Sequence, residues 1–387
     1  MHDELAAEEQ YYLDQARALI PVLAERAPAT NAARDVMPET IADFHRLGIL
    51  RMIQPRRFGG LQLRFSAFSH IVEIITEGCA SSGWVYAVLG EQQWLLASYP
   101  LQAQIDVWGD DPQALASSSL APRATAERTA GGWRLSGQYS FSSGSTYARW
   151  AIVGAFLGKP GDPASIGYLL VPFSDIEIID DWHVLGLAGT GSRSLRIHNV
   201  FVPDHRCVLL SELLAGTPPG AVVHADYPLV RAPRGLMVNY SLPPVAIALG
   251  RRALAVAIES LRGRVSRGTT QMSASEFVQM TVAEAAAAID AATLTMYRGR
   301  ATAEEFVAQG DPVPQEFVMR ARRDMTYAQH RVQWAVEKLV ELCGARSVYD
   351  TDALATIRRD VLTVLTHNVA SRQAAMGAWG RWALNAG

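Results

Sequence analysis

Serine and threonine hydroxyls gather at three places in this sequence, and hydroxyls are suited to hydrogen-bonding a polar ligand. Residues 117–119 are all serine, Ser142 and Ser143 follow a short apolar run, and Thr190 and Ser192 flank a glycine. A hydroxyl carries one proton and two lone pairs, so it can donate and accept hydrogen bonds at once. Serine-rich segments are also typical of polar turns, so both interpretations stand at this point.

A histidine and a glutamine are the other side chains whose chemistry could matter. His367 lies in a segment with a helical pattern, and an imidazole titrates near neutral pH, so it could accept a substrate proton. A lone histidine on a helix is more often structural. Gln92, in the string Gly-Glu-Gln-Gln-Trp at residues 90–94, can form hydrogen bonds but cannot act as a base near neutral pH. Trp84, earlier in the same predicted helix, is either a core residue or the wall of a pocket.

Metal and nucleotide motifs are absent from the sequence. It contains no CxxC, HExxH or clustered spacing of histidines and carboxylates, so we expect no metal site. The glycine-rich run at residues 186–192 leads into a predicted strand, whereas a dinucleotide-binding fingerprint must lead into a helix. We therefore expect no nicotinamide site in this chain.

The composition favours a globular protein built from several packed units. The chain has 387 residues, of which 49% are hydrophobic and 19% charged, enough for a large buried core. Its formal net charge of -3 makes nucleic acid or an anionic membrane an unexpected partner. The acidic N-terminal segment does not resemble a signal peptide, and we expect no apolar run as long as a transmembrane helix, about 18–20 residues. The widely separated Cys79, Cys207 and Cys343 are typical of reduced thiols in a cytoplasmic protein.

The hydrophobic periodicity divides the chain into three regions. Residues 1–115 have the spacing of helices, residues 116–212 alternate as short strands do, and residues 213–387 form a second helical region. We expect Pro21 to kink or end the first helix, and a slip in the alternation at residues 198–199 indicates a bulge. We predict helices at residues 4–26, 38–47, 66–77 and 83–97, and strands at residues 133–141, 149–157, 167–173 and 194–202.

The second helical region has the pattern of a four-helix bundle preceded by a long loop. Residues 211–240 are rich in proline and glycine, and loops of that length are usually functional. Ser273 and Glu276 have the spacing of a capping box, Gly344 is a predicted helix stop, and a last helix is predicted at residues 352–382. One helix face is predicted from apolar residues that recur every three or four positions: Val318, Ala321, Met325, Ala328, Val332, Ala335, Leu339 and Leu342.

Several strings, in this order, resemble segments of the acyl-CoA dehydrogenase superfamily. The first run is Leu-Gly-Ile at residues 47–49, followed by Pro55 and by Phe-Gly-Gly at residues 58–60. The second is Gly-Leu-Ala-Gly-Thr-Gly-Ser at residues 186–192, which leads to Val-Phe-Val-Pro at residues 200–203. The resemblance covers nearly the whole chain. It implies a mainly α fold of the acyl-CoA dehydrogenase type, with an N-terminal helical domain, a small central β-domain and a C-terminal four-helix bundle.

Two further strings are similar to the flavin-dependent oxygenase branch of that superfamily, which includes hydroxyphenylacetate hydroxylases and oxygenases of steroid and natural-product pathways. They are Gly-Cys-Ala-Ser-Ser-Gly-Trp at residues 78–84 and Arg-Arg-Asp at residues 358–360, followed seven residues later by His367. The Tyr-Glu-Gly-Thr string near the end of the dehydrogenases is absent. The dehydrogenases use a glutamate as the base that removes a substrate proton. In the final helices of this chain Glu337 and Glu341 are the only glutamates near that position, and neither clearly fills the role.

The resemblance implies a two-component monooxygenase that depends on reduced flavin. Such an oxygenase takes FMNH2 or FADH2 from a separate NAD(P)H-dependent flavin reductase and lets it react with dioxygen. It holds the resulting flavin hydroperoxide until an aromatic or other electron-rich small molecule is hydroxylated. The resemblance also implies a cytoplasmic homotetramer. Two alternatives remain open: a FAD-containing acyl-CoA dehydrogenase, and a non-catalytic scaffold that binds flavin or an acyl group.

The resemblance also assigns flavin-binding roles. Ser143, at the end of a predicted strand, would accept a hydrogen bond from flavin N5, and Phe141 would pack on the flavin ring. Ser118 and Ser119 would bind the ring carbonyls. The other predicted flavin contacts, which would meet the ring or its phosphates, are Thr190, Ser192, Arg264 and Arg267, the two arginines across a subunit boundary.

On the substrate side, His367 occupies the position of a substrate-facing histidine in the oxygenase branch, and Trp84 would form a pocket wall. Gln92 stands where phenol-hydroxylating relatives have a histidine that contacts the phenol oxygen. A glutamine cannot withdraw the phenol proton, so this departure puts phenol hydroxylation in doubt. It favours a substrate that is already nucleophilic when neutral, such as an indole, a fused polyphenol or an amine. The alternative is that His367 alone handles a phenol.

Overall fold

Five helices form the N-terminal region; three of them agree closely with the predicted segments, and the first, predicted at residues 4–26, extends to Ala33. The computed structural model describes residues 2–266, 270–310 and 312–385. The first helix was expected to kink or end at Pro21, but it continues through Pro21 and Pro28. Pro21 lies on the exposed side, while Leu23 of the same helix is buried in the core, so packing of the apolar face holds the helix together. The helices are α1 (His2–Ala33), α2 (Pro38–Leu47), α3 (Phe65–Gly78), α4 (Ala80–Ala97) and α5 (Leu101–Trp108).

The central region is a seven-stranded sheet in the order β5-β6-β2-β1-β3-β4-β7. Strands β1 and β3 are parallel, and the other neighbouring strands pair antiparallel. The predicted bulge at residues 198–199 is confirmed, because these two residues lie opposite Ser136 alone and the N–H of Asn199 donates to the Ser136 hydroxyl at 2.8 Å. The strands are β1 (Ala116–Thr129), β2 (Gly132–Ser142), β3 (Trp150–Leu157), β4 (Ile166–Pro172), β5 (Ile176–Ile179), β6 (Arg193–Pro203) and β7 (Cys207–Leu209).

Short helices occupy much of the segment that was predicted as a long loop at residues 211–240. Its prolines and glycines delimit these helices instead of preventing them: Gly216 ends the first in a left-handed conformation, and Pro233 immediately precedes the last. The segment contains α6 (Leu210–Ala215), α7 (Gly220–Val223) and α8 (Arg234–Ser241), and α9 (Pro243–Arg262) follows at once.

The C-terminal region is a helical bundle in which the predicted apolar face is buried. All of its predicted positions on α11 are buried except Val318, which is half-buried, and Gly344 ends that helix as expected. The capping box is wrong, because Ser275 precedes α10 directly and Ser273 lies in a preceding 3₁₀ turn. The remaining elements are a ribbon of β8 (Val265–Ser266) and β9 (Thr270–Gln271), α10 (Glu276–Gln309), α11 (Gln315–Cys343), α12 (Ala353–Val364) and α13 (Arg372–Asn385).

The last helix, predicted as continuous over residues 352–382, is broken at His367. Its Nδ1 accepts a hydrogen bond from the N–H of Val369 at 3.2 Å, and the Ser371 hydroxyl accepts one from the N–H of Ala374 at 3.3 Å. Side chains that bond nearby backbone groups compete with the helical pattern. His367 therefore stands at a helix break between α12 and α13 and not on a helix face.

Two helical segments meet the length and hydropathy of a membrane span, contrary to the expectation from the sequence. They are residues 234–262 and 276–309, with mean hydropathies of 1.4 and 1.2 over the best window. Both belong to the bundle, and 67% of the first window is buried inside the protein against 28% of the second. Bundle helices rich in alanine and poor in charge meet this criterion without contacting lipid, so the two segments are weak evidence for a membrane.

Candidate active site

Ser143 directly follows strand β2 and lies against helix α4, where it is hydrogen-bonded to Trp84. Gly144 turns the chain at φ +68°, where an added Cβ would lie 3.1 Å from Val85 and 3.2 Å from Leu89. The N–H of Gly144 donates to the carbonyl of Thr190 at 3.1 Å. A residue with a side chain would be strained and crowded at this turn. The glycine thus allows the strand end, the helix and the turn at residues 186–192 to meet.

A continuous set of hydrogen bonds joins four of the predicted site residues. The indole Nε1–H of Trp84 donates to the Ser143 hydroxyl at 3.0 Å, and this hydroxyl lies 2.6 Å from that of Ser192. The hydroxyl oxygens of Ser192 and Thr190 are 2.7 Å apart, and Thr190 donates to the carbonyl of Leu187 at 2.9 Å. All four predicted residues are buried. We call Trp84, Ser143, Ser192, Thr190 and Leu187 the hydroxyl relay.

The turn at residues 186–192 is held from two sides. An added Cβ at Gly186 would lie 2.2 Å from the carbonyl oxygen of Arg359 on α12, and one at Gly189 would lie 2.3 Å from the Thr30 side chain on α1. Such separations are below van der Waals contact, so only glycine permits this approach. The glycine-rich string is therefore explained by close packing between two helices, which fixes the backbone that carries Thr190 and Ser192.

Phe141 is an exposed aromatic side chain in a strained backbone conformation beside the relay. The residue is 65% exposed and has φ +69°, and its ring meets the edge of Trp182 at 6.2 Å between centroids. The left-handed region is costly for a bulky side chain, and such strain is concentrated at functional sites. The ring of Phe141 is thus available to a flat ligand, as the predicted role requires.

The serines of β1 do not behave alike. The Ser119 hydroxyl donates to the carbonyl of Ser140 at 2.7 Å, so its single proton is already used and only lone pairs remain for a ligand. Ser118 points to the other face of the strand and is half-buried. Ser119 is therefore not arranged to donate to a ring carbonyl, and the contact predicted for Ser118 stays a prediction.

Helix α4 shows small residual exposure along one face. Trp84 is 7% exposed, Val88 9% and Gln92 3%, whereas the neighbouring Val85 and Leu89 are fully buried. The first three positions recur every four residues, so they lie on the same face. The Oε1 atom of Gln92 has no hydrogen-bond partner among the described residues. The amide of Gln92 therefore keeps hydrogen-bonding capacity for a ligand, and a polar atom in a side chain that is only 3% exposed is rarely left without a partner.

His367 lies at one end of this face. Its ring meets that of Trp84 edge-on, with centroids 5.6 Å apart and planes at 73°. The residue is exposed, yet desolvation by the surrounding protein, followed by the charge of Arg234, lowers the pKa of His367 to about 4. Exposure together with desolvation places the imidazole in a recess and not on an outward-facing surface. We call the space bordered by Trp84, Gln92 and His367 the recess.

The hydrogen bond to His367 fixes its tautomer. A lone pair on Nδ1 must accept the Val369 N–H, so the neutral ring carries its proton on Nε2. With a pKa of about 4 the ring is neutral at pH 7. His367 therefore presents an N–H donor through Nε2.

Two charged residues of the site were not identified from the sequence. Arg234 begins α8, its Nε has no partner among the described residues, and its charge opposes protonation of His367. Asp360 on α12 is buried and accepts the N–H of Leu187 at 2.7 Å, and burial raises the pKa of Asp360 to about 6. Arg234 falls in the segment predicted as a loop. Asp360 is the last residue of the Arg-Arg-Asp string at residues 358–360, so that string could have identified it as a site residue.

Arg264 lies apart from the hydroxyl relay in this chain. Its guanidinium donates to the carbonyl of Cys343 at the end of α11, and among the described residues it forms no hydrogen bond with the relay. Arg267 lies outside the described residues. The predicted contacts of these arginines with a flavin diphosphate across a subunit boundary stay predictions.

The relay and its surroundings fit a flavin. Hydroxyl and backbone groups of residues 186–192 offer polar contacts, and exposed Phe141 offers an aromatic face. After accepting the Trp84 N–H, the Ser143 oxygen still has hydrogen-bonding capacity. Reduced flavin, when bound, supplies the electrons that activate dioxygen.

The fold and the site define a flavin enzyme of the acyl-CoA dehydrogenase type. Residues 241–372 match the family described as acyl-CoA dehydrogenase, C-terminal domain. The crystal structure of the HsaA monooxygenase from Mycobacterium tuberculosis has a TM-score of 0.92 and 31% sequence identity, and the match covers 97% of this chain and 98% of that one. The predicted fold is thereby confirmed.

Comparisons over the sequence identify the branch. HsaA, the oxygenase subunit of a flavin-dependent monooxygenase from Rhodococcus jostii (strain RHA1), is 33% identical over 345 residues, which are 89% of this chain and 90% of that protein. The oxygenase component of FADH2-dependent resorcinol hydroxylase from Rhizobium sp. (strain MTP-10005) is 37% identical over 287 residues, 72% of this chain and 69% of that protein. This chain belongs to the oxygenase components of flavin-dependent monooxygenases.

Membership of this family confirms several predictions. The enzyme class is a monooxygenase, its cofactor is reduced flavin, and its co-substrate is dioxygen. An oxygenase component works with a separate flavin reductase, as the sequence predicted. The dehydrogenase and scaffold alternatives are not supported.

Proposed function

We propose that this oxygenase hydroxylates an aromatic or similarly electron-rich small molecule that lies in the recess. The observation that carries the proposal is the position of Trp84 between two functional groups. Its indole N–H binds Ser143 of the relay, and its ring contacts His367. One rigid side chain thus sets the spacing between the predicted flavin side and the predicted substrate side.

His367 serves as a hydrogen-bond donor in this proposal. The Nε2–H of the neutral imidazole can donate to an oxygen atom of the substrate or to the oxygen being transferred. Proton acceptance, the other role expected from the sequence, would first require loss of the Val369 hydrogen bond or a change of tautomer. The geometry therefore favours donation over general-base catalysis.

Gln92 orients the substrate through its amide. Its unpaired Oε1 supports this role, and an amide can present either a donor or an acceptor by rotating. Because no titratable base faces the substrate from this position, we propose a substrate that is nucleophilic when neutral, such as an indole, a fused polyphenol or an amine. A simple phenol handled by His367 alone is the competing possibility.

A panel of substrates tests the proposal. Purified oxygenase is mixed with chemically reduced FMN or FAD and dioxygen, and hydroxylated product is compared with hydrogen peroxide for each compound. We expect efficient coupling with neutral nucleophiles of one or more rings. Coupling with monocyclic phenols only would reject the proposed substrate class. A tightly bound yellow flavin that is reduced directly by an acyl-CoA would reject the hydroxylase itself.

We further propose a homotetramer in the cytoplasm. The support is a set of large apolar side chains exposed on α10: Phe277 is 71% exposed, Met280 57% and Leu294 67%. Such a surface is typical of one that another subunit covers. The predicted phosphate contacts of Arg264 and Arg267 across a subunit boundary require the same assembly. Light scattering of the purified chain gives the test, and a monomeric mass would contradict the tetramer.

A further inference from the structure

The hydroxyl relay has only one possible order of donors. Thr190 must donate to Leu187, because a carbonyl oxygen can only accept. The Thr190 proton is then used, so in the 2.7 Å contact Ser192 must be the donor. By the same count, Ser143 must donate in its 2.6 Å contact with Ser192. The direction therefore runs from Trp84 through Ser143, Ser192 and Thr190 to Leu187.

This order decides what Ser143 can offer a ligand. Its one proton is donated to Ser192, and one of its two lone pairs accepts the Trp84 N–H. The remaining lone pair is its only unused hydrogen-bonding position. Ser143 is thus held as an acceptor, which matches a ligand N–H and opposes a ligand lone pair.

The end of the relay is fixed from outside by Asp360. Leu187 has φ +52°, an unfavourable conformation for a branched side chain. Its N–H donates to Asp360 at 2.7 Å, and its carbonyl also accepts the Trp182 indole N–H at 3.3 Å. Hydrogen bonds therefore hold the peptide groups on both sides of this strained residue. Without the Asp360 bond, nothing in the relay itself holds the Leu187 N–H.

We propose that Ser192 and Asp360 are positioning residues that keep the Ser143 hydroxyl in its acceptor orientation toward the N5–H of reduced flavin. Ser192 accepts the hydrogen bond that Ser143 donates, and Asp360 accepts the N–H of Leu187, the residue whose carbonyl accepts the last hydrogen bond of the relay. The proposal rests on the predicted contact between Ser143 and flavin N5, so its test must examine that contact separately.

Spectroscopy of the flavin nitrogen tests the proposal in the holoenzyme. Reduced flavin labelled with 15N at N5 is bound anaerobically to the parent protein and to the variants Ser143→Ala, Ser192→Ala, Asp360→Ala and Asp360→Asn. The N5 resonance and the dissociation constant of reduced flavin are measured. Ser194→Ala is the matched control, because Ser194, like Ser192, is a buried serine, and its hydroxyl donates to that of Ser140 outside the relay.

We expect Ser192→Ala and Asp360→Ala to change the N5 resonance in the same direction as Ser143→Ala and to weaken reduced-flavin binding by about tenfold. Asp360→Asn keeps a carbonyl acceptor for Leu187 and should restore most of the parent resonance. Ser194→Ala should leave it unchanged. If Asp360→Ala does not fold, Ser192→Ala decides the test, because it removes a single oxygen.

The two possible failures are distinguishable. A parent-like N5 resonance in Ser143→Ala would overturn the predicted contact with flavin, and with it this proposal. A changed resonance in Ser143→Ala together with parent-like resonances in Ser192→Ala and Asp360→Ala would overturn the positioning role alone. The proposed substrate class would be unaffected by either result.

Discussion

The hydroxyl relay and the recess lie on either side of Trp84 and differ in how their polar groups are satisfied. In the relay, Ser143, Ser192 and Thr190 all have partners within the protein. In the recess, the Oε1 of Gln92 has no partner among the described residues, and His367 keeps a free donor. Buried polar groups normally find partners. The difference supports the proposal of a flavin side that is organised before binding and a substrate side that the substrate itself completes.

The sequence analysis predicted the elements of the fold well where local patterns determine them. Helix α2 and the buried face of α11 follow from apolar spacing alone. The sequence analysis did not predict that α1 continues through Pro21, because tertiary packing overrides the local preference of proline there. It also did not predict the helix break at His367, which a side-chain hydrogen bond stabilises. The loop at residues 211–240 was misjudged because proline and glycine can bound short helices as well as interrupt them.

The site was predictable only in part, for a physical reason. Ser143, Ser192 and Thr190 were found because their strings resemble those of a family, and the structure brings them together. Leu187 acts through its backbone, so its residue type carries no chemical signal. Asp360 lies 173 positions from it in sequence, and such a pairing becomes visible only when the chain is folded.

Replacement of His367 should have the largest effect on the recess side. We expect His367→Ala to lower product formation by about a hundredfold or more while reduced flavin still binds. His367→Asn retains a donor that does not titrate, and it should recover part of the activity if donation is the role of His367. Measured product and peroxide per reduced flavin give the answer. Equal loss in both variants would favour general-base catalysis.

The pH dependence provides a second test of the same residue. Because the pKa of His367 is lowered to about 4, its ring stays neutral as the pH rises from about 6 to 9. The oxygen-transfer step measured in single turnover should therefore show no inflection from His367 in this range. An inflection near pH 6.5 that disappears in His367→Asn would contradict the lowered pKa.

Removal of Ser143 should have the next largest effect, and on the relay side. Ser143→Ala loses the predicted hydrogen bond to flavin N5 at a desolvated site, which costs about 1–3 kcal/mol, roughly ten- to hundredfold in rate or affinity. We expect more hydrogen peroxide and less product per reduced flavin from a protein that still folds, with a lowered melting temperature because the buried Trp84 N–H and Ser192 hydroxyl each lose a partner. Parent-like coupling would show that Ser143 is not essential to the flavin side.

Substitution of Gln92 should change selectivity more than rate. Gln92→Leu leaves a substrate hydrogen bond unmade, which costs about 1 kcal/mol, or several-fold in kcat/KM. Gln92→His should raise turnover of simple phenols and lower that of the preferred substrate. Steady-state kinetics with one compound of each kind tests this. Parallel changes for both compounds would remove the orienting role of Gln92.

A further prediction concerns the free energy of unfolding and its dependence on Asp360. Burial raises the pKa of Asp360 to about 6, above the value of about 3.9 in unfolded chains. The folded state therefore holds this proton more tightly, so the contribution of Asp360 to stability falls as the pH rises from about 4 to 6. Asp360→Asn should gain about 1–2 kcal/mol relative to the parent at pH 7.5 and little at pH 4. Chemical denaturation at both values gives the comparison, and an equal difference at both would contradict the raised pKa.

The affinity of the protein for the two redox forms of flavin tests the organised flavin side most directly. Reduced flavin carries a proton on N5 that the remaining lone pair of Ser143 can accept, whereas oxidised flavin presents a lone pair there. Anaerobic titration should show reduced flavin binding at least about tenfold more tightly than oxidised flavin, and Ser143→Ala should remove most of that preference. Equal affinities for the two forms in the parent protein would contradict the account.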